Sequence, residues 1–359
     1  MKTATITFHW AKSFGAVLQT YSLQNFLLSD GIENKVIDYS GNRDGMFALF
    51  SRSRKPKALL SNIDVALHKK SIERGNRRFL DFINNKIIKT EPYDTLAHLK
   101  ADPPAADVYI TGSDQVWSIG RGIGEAYFLN FGDEKTRKIS YAASMGRSVI
   151  PEEKRETIKK YLESFYAVSV REQATKDVIA PLAKCRVEEN IDPVFLTSAE
   201  EWRTLEKSVD GIDGPYILCF CIYRPKWLNG ELKKLHKQTG KKIVILDPSG
   251  LRMLYHNKQI RDAGPEEFLW LIDHADSVVT TSFHGVSFSM IFGKPLYAIV
   301  NPDAPERIVN LLQLLGADQA VVDKLEIAPP EYDPETVKER IEEQKSRSAQ
   351  YLRRCFEEK

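Results

Sequence analysis

Four stretches of this sequence bring reactive side chains to the point where an apolar run gives way to small residues. In the first, Thr7-Phe8-His9-Trp10-Ala11-Lys12-Ser13-Phe14-Gly15-Ala16, a strand-like run passes into a helical one. Gly15 and Ala16 are small enough to let a ligand approach the amide groups that open that helix, although an ordinary tight turn reads the same way. In the second, Ile110-Thr111-Gly112-Ser113-Asp114-Gln115-Val116-Trp117, a hydroxyl, a carboxylate and an amide follow an apolar strand. Asp114 there is suited to accept a proton, while Ser113 or Asp114 is equally suited to cap the next turn. The third is Val168-Ser169-Val170-Arg171-Glu172-Gln173, where Arg171 ends a mostly apolar strand. A buried guanidinium needs a partner, so Arg171 either pairs with Glu172 or another carboxylate, or grips an anion in bidentate fashion. In the fourth, Val278-Val279-Thr280-Thr281-Ser282-Phe283-His284-Gly285-Val286, a strand ends in hydroxyls and a histidine stands where a helix begins. Open amides, the helix dipole and an imidazole suit a phosphate or a carboxylate.

Metal chemistry finds no comparable support. His68, His98, His236, His256 and His274 form no pair at ligand spacing, and no further ligand stands near Cys219 and Cys221. Those two cysteines lie two apart in an apolar run, on one side of a strand, and read as small buried hydrophobes. Four cysteines in 359 residues make no disulfide framework.

Strand-length apolar runs alternate with longer runs of helical period, the pattern of parallel α/β layers. A strand through Ile6-Phe8, a helix from Ala16 to Asp30 stopped by Gly31, and a strand over Lys35–Tyr39 make the first β-α-β unit. Further strands follow at Val108–Thr111, Lys138–Ala142 and Ala167–Arg171, and this set ends near Asp192-Pro193. A second set lies at Tyr216–Tyr223, Lys242–Asp247, Ser277–Thr281 and Leu296–Val300. Its helices run near Lys226–Thr239, Pro265–Ala275 and Val286–Phe292, and a charged helix from about Pro334 to Glu357 closes the chain. So long a chain exceeds a single core. The expected class is α/β with two Rossmann-like domains: residues 1–200, residues 201–330, and a terminal helix in 331–359.

Residues 51–78 break the rhythm. Arg52, Arg54, Lys55, Lys57, Lys69, Lys70, Arg74, Arg77 and Arg78 oppose only Asp64 and Glu73. An exposed helical insertion in the first domain is the plain reading; a cationic patch meeting anionic lipid headgroups, or the diphosphate of a lipid-linked sugar, is the functional one. The whole chain carries a net charge of +2 with 28% charged residues, which gives no reason to expect nucleic acid as a partner. No run approaches the roughly 18 apolar residues of a membrane span, so a cytoplasmic protein is expected, peripheral at most at the inner face of the membrane.

In that order, the four stretches resemble the polysaccharide pyruvyltransferase family. The likeness is carried by Thr7-Phe8-His9-Trp10-Ala11 with Phe14-Gly15-Ala16-Val17-Leu18-Gln19, by Thr111 to Trp117, and by Val170-Arg171-Glu172-Gln173. Thr281-Ser282-Phe283-His284-Gly285 with Ile291-Phe292-Gly293-Lys294-Pro295 completes it. The resemblance implies two domains facing across a cleft in a glycosyltransferase B-like arrangement. It implies phosphoenolpyruvate as co-substrate; no other cofactor is expected, and residue spacing offers no metal site. The acceptor would be a sugar of a bacterial polysaccharide or of its lipid-linked precursor, bridged through two hydroxyls as a cyclic ketal with release of phosphate.

Carried over by position, Arg171 and His284 would bind or activate the donor, with Ser282, Phe283 and Gly285 beside them. Asp114 would accept a hydroxyl proton or orient the sugar, and His9, Gly15, Ser113 and Gln115 would line the acceptor side. Two departures stand out. Ser13 occupies a position that is often Asn in this subgroup, and Ser282 stands where better-studied branches carry the Arg of an Arg-Leu-His motif. Arg307 is read as the replacement cation. The rival readings are a nucleotide-sugar glycosyltransferase of the same architecture and an inactive glycan-binding relative. Against the first, no Asp or Glu occurs between Asp276 and Asp303 to clamp a ribose.

Overall fold

The computed structural model describes residues 1–39, 47, 56–119, 124–146, 149–247, 254–302 and 304–357, with all their side chains except those of 56–61 and 64. Arg52, Arg54 and Lys55 of the basic segment, and the side chains of Lys57 and Asp64, lie outside the described residues. The chain divides into two compact units. One comprises Met1–Arg43, Ile83–Thr197 and Ile341–Lys359; the other comprises Asp44–Phe82 and Ser198–Arg340.

The first unit is built on β1 (Lys2–Ile6), α1 (Phe14–Ser29) and β2 (Glu33–Tyr39); α2 (Pro56–Lys86) leaves for the second unit and returns at its end. Then come β3 (Lys89–Tyr93), α3 (Leu96–Ala101), β4 (Val108–Thr111), β5 (Arg137–Ser140), α4 (Glu152–Leu162), β6 (Val168–Val170), α5 (Gln173–Ile179) and β7 (Val187–Glu189). The sheet runs β3-β2-β1-β4-β5, all parallel, and bridges from Ile139 to Ala167 and from Ala143 to Val170 join the β6-β7 pair to its edge. All four residues of β4 are buried, as expected of a central parallel strand covered on both faces. One face packs Ile6, Tyr109, Phe128 and Ile158; the other packs Leu23, Leu27, Ile110 and Ile139.

The second unit contains α6 (Ala199–Arg203), β8 (Tyr216–Phe220), α7 (Leu228–Thr239), β9 (Lys242–Leu246), β10 (Lys258–Ile260), α8 (Pro265–Asp273) and β11 (Ser277–Thr280). It continues with α9 (Phe283–Ile291), β12 (Leu296–Ala298), α10 (Glu306–Leu315) and the start of α11 (Pro334–Glu357). Its sheet runs β10-β9-β8-β11-β12, again all parallel. Both sheets therefore share one topology, with the first and fourth strands of each at the centre. Strand order reverses there, between β1 and β4 and between β8 and β11, and doubly wound sheets bind ligands beyond the carboxyl ends of such strands.

Two segments are distributed differently from the sequence expectation. The described part of the basic segment, residues 56–78, belongs to the second unit rather than the first, because Arg74 and Arg78 ion-pair with Asp262, and Arg78 also with Glu267. Gly75 permits that seat: a Cβ there would stand 3.1 Å from the Cα of Asp262. The last helix returns to the first unit, where Tyr351, Leu352, Cys355 and Phe356 complete the face formed by Leu23, Val108 and Ile139. Tyr351 donates to the Ser140 carbonyl at 2.9 Å, and Arg353 grips Asp30 through two hydrogen bonds of 2.8 and 2.7 Å.

Candidate active site

In the first unit, β1 delivers His9 and β4 delivers Ser113, Asp114 and Gln115 to the switch point. His9 is fully buried; Nε2 lies 3.1 Å from Asp38 Oδ1, and Nδ1 lies 3.3 Å from the Thr7 carbonyl. It therefore braces the loop from within and touches no solvent. Thr7 in turn donates to the Ser113 carbonyl at 2.9 Å and accepts from Gln19 at 2.9 Å, tying the β1 loop to both β4 and α1. Gly15 is buried in the first turn of α1, whose N-cap Ser13 makes no side-chain capping bond.

Asp114 holds a left-handed backbone, φ 75°, as does Ala142 at the end of the neighbouring strand with φ 48°. Such conformations in residues with a Cβ cost of order 1 kcal/mol and concentrate at functional sites. The Asp114 carbonyl accepts from Val116 at 2.7 Å and from Ser144 at 3.0 Å, and its carboxylate accepts from the Gln115 amide at 2.8 Å. Both Asp114 and Gln115 remain half-buried. A Cβ on Gly146 would meet Gln115 Oε1 at 2.6 Å, so Gly146 is what lets that side chain lie where it does.

Arg171 takes the paired alternative. Its Nε donates to Glu172 at 2.9 Å and its Nη1 to Asp192 at 2.7 Å, with both partners buried. Ser113 also donates to Asp192, at 3.2 Å, and Ser144 and Thr175 donate to Glu172 at 2.9 and 3.1 Å. Burial alone would lower the proton affinity of Arg171; the carboxylates of Glu172, Asp192 and Asp114 outweigh it and raise it above the usual arginine value. A buried guanidinium among three carboxylates is a poor seat for a further anion and a good strut for the loops that carry Ser113 and Asp114.

The sequence reading passed over two features of this end. Phe8, Trp10, Tyr39 and Tyr127 form an aromatic group, with the Phe8 ring 5.0 Å edge-on from Tyr127 and 6.1 Å from Trp10. Burial pushes the Tyr127 phenol well above its ordinary range and depresses the Lys12 ammonium. Lys12 lies within a motif already singled out, whereas nothing in the sequence connects Tyr39 to Tyr127.

In the second unit, α9 begins three residues earlier than its periodicity predicts, so Phe283, His284 and Gly285 form its first turn. Ser282 is the N-cap, and its hydroxyl accepts from the Gly285 amide at 3.3 Å. One amide expected to face an anion is thus taken by the chain itself. Gly285 is required by close packing, since a Cβ would stand 2.3 Å from Thr280 Oγ1. His284 is half-buried, with its ring 5.2 Å from that of Phe283 and nearly perpendicular to it. Arg307 sits half-buried in the first turn of α10, the helix that follows β12, next to β11 in the sheet.

The loop after β8 supplies what sequence reasoning missed. Tyr223 is clasped by Thr281: its amide donates to Thr281 Oγ1 at 3.0 Å, and that hydroxyl donates to its carbonyl at 3.2 Å. Arg224 follows directly, with Nη2 on Asp247 at 2.5 Å and Nε on the Cys221 carbonyl at 3.3 Å. The two units repeat one device, since an acid at the end of the second strand of each sheet engages the basic residue that follows the first. Asp38 engages His9, and Asp247 engages Arg224.

The family model for polysaccharide pyruvyl transferase matches residues 14–303. The chain belongs to that family. No curated protein sequence is significantly similar to it. Among solved structures, UDP-N-acetylglucosamine 2-epimerase from Rickettsia bellii is 13% identical, with 99% of this chain and 96% of that one covered and a TM-score of 0.54. The UDP-GlcNAc 2-epimerase from Neisseria meningitidis bound to UDP-GlcNAc is 14% identical over 99% of each chain, with a TM-score of 0.50. At such identity these are likenesses of fold, and they agree with two Rossmann-like domains of the glycosyltransferase B kind. In this pyruvyl transferase family member, then, the four motifs lie at the ends of parallel strands, and three of them border a switch point.

Among the described residues, one group of possible metal ligands gathers Glu206, Asp273 and His274, with ligand atoms within 4.8 Å of one another. It lies at the amino end of β11, away from these motifs. Arg203 occupies both Asp273 oxygens, at 2.8 and 3.1 Å, which opposes a cation there.

Proposed function

We propose that this chain transfers the pyruvyl group of phosphoenolpyruvate to two hydroxyls of a sugar, forming a cyclic ketal and releasing phosphate. The observation that carries this reading is the family match together with the position of three of the family's four motifs at the switch points of two like sheets. Overall, the donor's methylene carbon gains a proton and its central carbon becomes electrophilic. One acceptor oxygen bonds to that carbon and gives up its proton; the carbon–oxygen bond to phosphate breaks; the second hydroxyl then bonds and loses its proton. Two protons leave the sugar, one ending on the methyl group and one on phosphate.

The donor roles fall to the second unit. The first turn of α9 favours negative charge through its dipole, with Phe283 beside it and Ser282 ordering its start. Arg224 and Arg307 supply the cations that Ser282 does not, Arg224 with its guanidinium plane set by Asp247. His284 delivers the proton to the methylene carbon or assists phosphate departure. The acceptor roles fall to the first unit. Asp114 receives a hydroxyl proton, Gln115 and Gly15 border the sugar, and Ser113, His9 and Arg171 hold the Asp114 loop in shape. Aromatic faces at Phe8 and Trp10 suit the apolar side of a sugar ring. The acceptor class is a bacterial polysaccharide or its lipid-linked precursor, modified at the cytoplasmic side.

The fold likeness favours one second reading, a nucleotide-sugar glycosyltransferase. It is weakened because Asp247, placed where a doubly wound sheet would offer an acid to ribose, is engaged by Arg224. A thermal-shift titration with phosphoenolpyruvate, uridine diphosphate and guanosine diphosphate separates the two, since ligands of the native state raise stability. A dose-dependent rise with phosphoenolpyruvate alone, at least about tenfold weaker in Arg224→Ala, is the expected result, because an ionised hydrogen bond is worth about 1.5–3 kcal/mol. A rise only with a nucleotide diphosphate would overturn the pyruvyl reading.

A further inference from the structure

The basic segment takes no part in the chemistry proposed above. Its described portion, α2, is kinked at His68, with φ −115° and ψ 17°. After the kink Ile72, Gly75, Asn76, Phe79 and Phe82 are buried, and the ion pairs of Arg74 and Arg78 with Asp262 seat this part on the second unit. Before it, Ile63 and Leu67 are 59% and 76% exposed. Ile63 and Leu67, four residues apart, share one face before the kink; Lys70, Arg74 and Arg77, at spacings of four and three, share one face after it. Lys69, Lys70, Arg74 and Arg77 are all exposed.

We propose that this exposed stretch of α2 docks on a membrane surface rich in anionic lipid, with Leu67 and Ile63 entering the acyl boundary and Lys69, Lys70 and Arg77 meeting headgroup phosphates. Two observations point to that occupant together. Large aliphatic side chains held in water at a helix surface stabilise nothing in the folded chain and gain by leaving water. The exposed cations that follow them along α2 complement phosphate, whereas a purely apolar protein groove would leave them desolvated and unpaired. An interfacial segment combines exposed apolar side chains with neighbouring cations. The proposal stands independently of the pyruvyl reading, because it concerns side chains outside the candidate site.

The test is co-sedimentation of the full chain with vesicles of phosphatidylcholine alone, or of equal parts phosphatidylcholine and phosphatidylglycerol, at low and raised salt. Binding to the anionic vesicles only, weakening as salt rises, is expected. The double variant Lys70→Ala, Arg77→Ala should partition about thirtyfold more weakly, at roughly 1 kcal/mol for each cation near the surface. Leu67→Ser should also weaken binding, and both variants should melt where the wild type does, since the altered side chains are exposed. A wild-type chain that stays in the supernatant with anionic vesicles would overturn the proposal, as would a double variant that binds undiminished. So would a dimer in sedimentation velocity that Leu67→Ser dissolves without any vesicle binding, which would make a second copy the occupant.

Discussion

Arg171 directly follows a strand and Arg224 stands in the loop after one, and their surroundings differ. Arg171 is shared between Glu172 and Asp192 in a buried network that also fastens Ser113, while Arg224 meets Asp247 from the loop after β8. Removing one member of a buried pair strands the charges left behind. Arg171→Ala should therefore cost about 3–5 kcal/mol in urea unfolding. A donor-gripping arginine at an open surface would instead leave the unfolding midpoint near the wild-type value and lose only ligand affinity, so the two measurements together decide its role. Ser282 is instructive for a different reason. As the N-cap of α9 it takes up the Gly285 amide, a task that the arginine expected at this position does not perform in the same way.

At the scale of elements, α11 carries the clearest consequence. Its polar composition suggests a solvated terminal helix, but Leu352 is fully buried against the strands of the first sheet, and Tyr351 reaches Ser140. Leu352→Ala should cost about 2–5 kcal/mol, measured as a shift in the denaturant midpoint. A loss below about 0.5 kcal/mol would mean that the helix is an appendage rather than part of the core. The loops after β1, β4, β8 and β11 are as dependent on neighbours as α11 is. Thr7, Thr281 and Ser113 bond across strands that are distant in sequence, which sets side-chain geometry at the switch points within each sheet.

For the molecule as a whole, stability should depend on pH through Glu206. Burial first, and then the Asp273 carboxylate, push its carboxyl up to about 7 from an ordinary 4.5. The folded chain thus holds a proton that the unfolded chain has already released. Stability contributed here is intact below about 4.5, falls as pH rises toward about 7, and stays low above it. Melting temperatures at mildly acidic and mildly alkaline pH should show the decline in the wild type. In Glu206→Gln the decline should be smaller, with the gain over wild type confined to the alkaline side. Equal slopes in both proteins would remove Glu206 as the cause.

The alternation of apolar runs, the two sets of parallel strands and the four motifs were legible in the sequence, because period, turn residues and strand-end chemistry are local properties. Pairing was not. Asp192 lies 21 residues from Arg171, Asp247 lies 23 from Arg224 and Asp38 lies 29 from His9, and each pair meets only once parallel strands stand side by side. For the same reason the basic segment could be recognised by its charge but not seated on Asp262, and the terminal helix could be drawn but not docked. Sequence by itself determined which groups are available and which element bears each; tertiary structure decided which charges are spent on one another, because that depends on neighbours brought together only by folding.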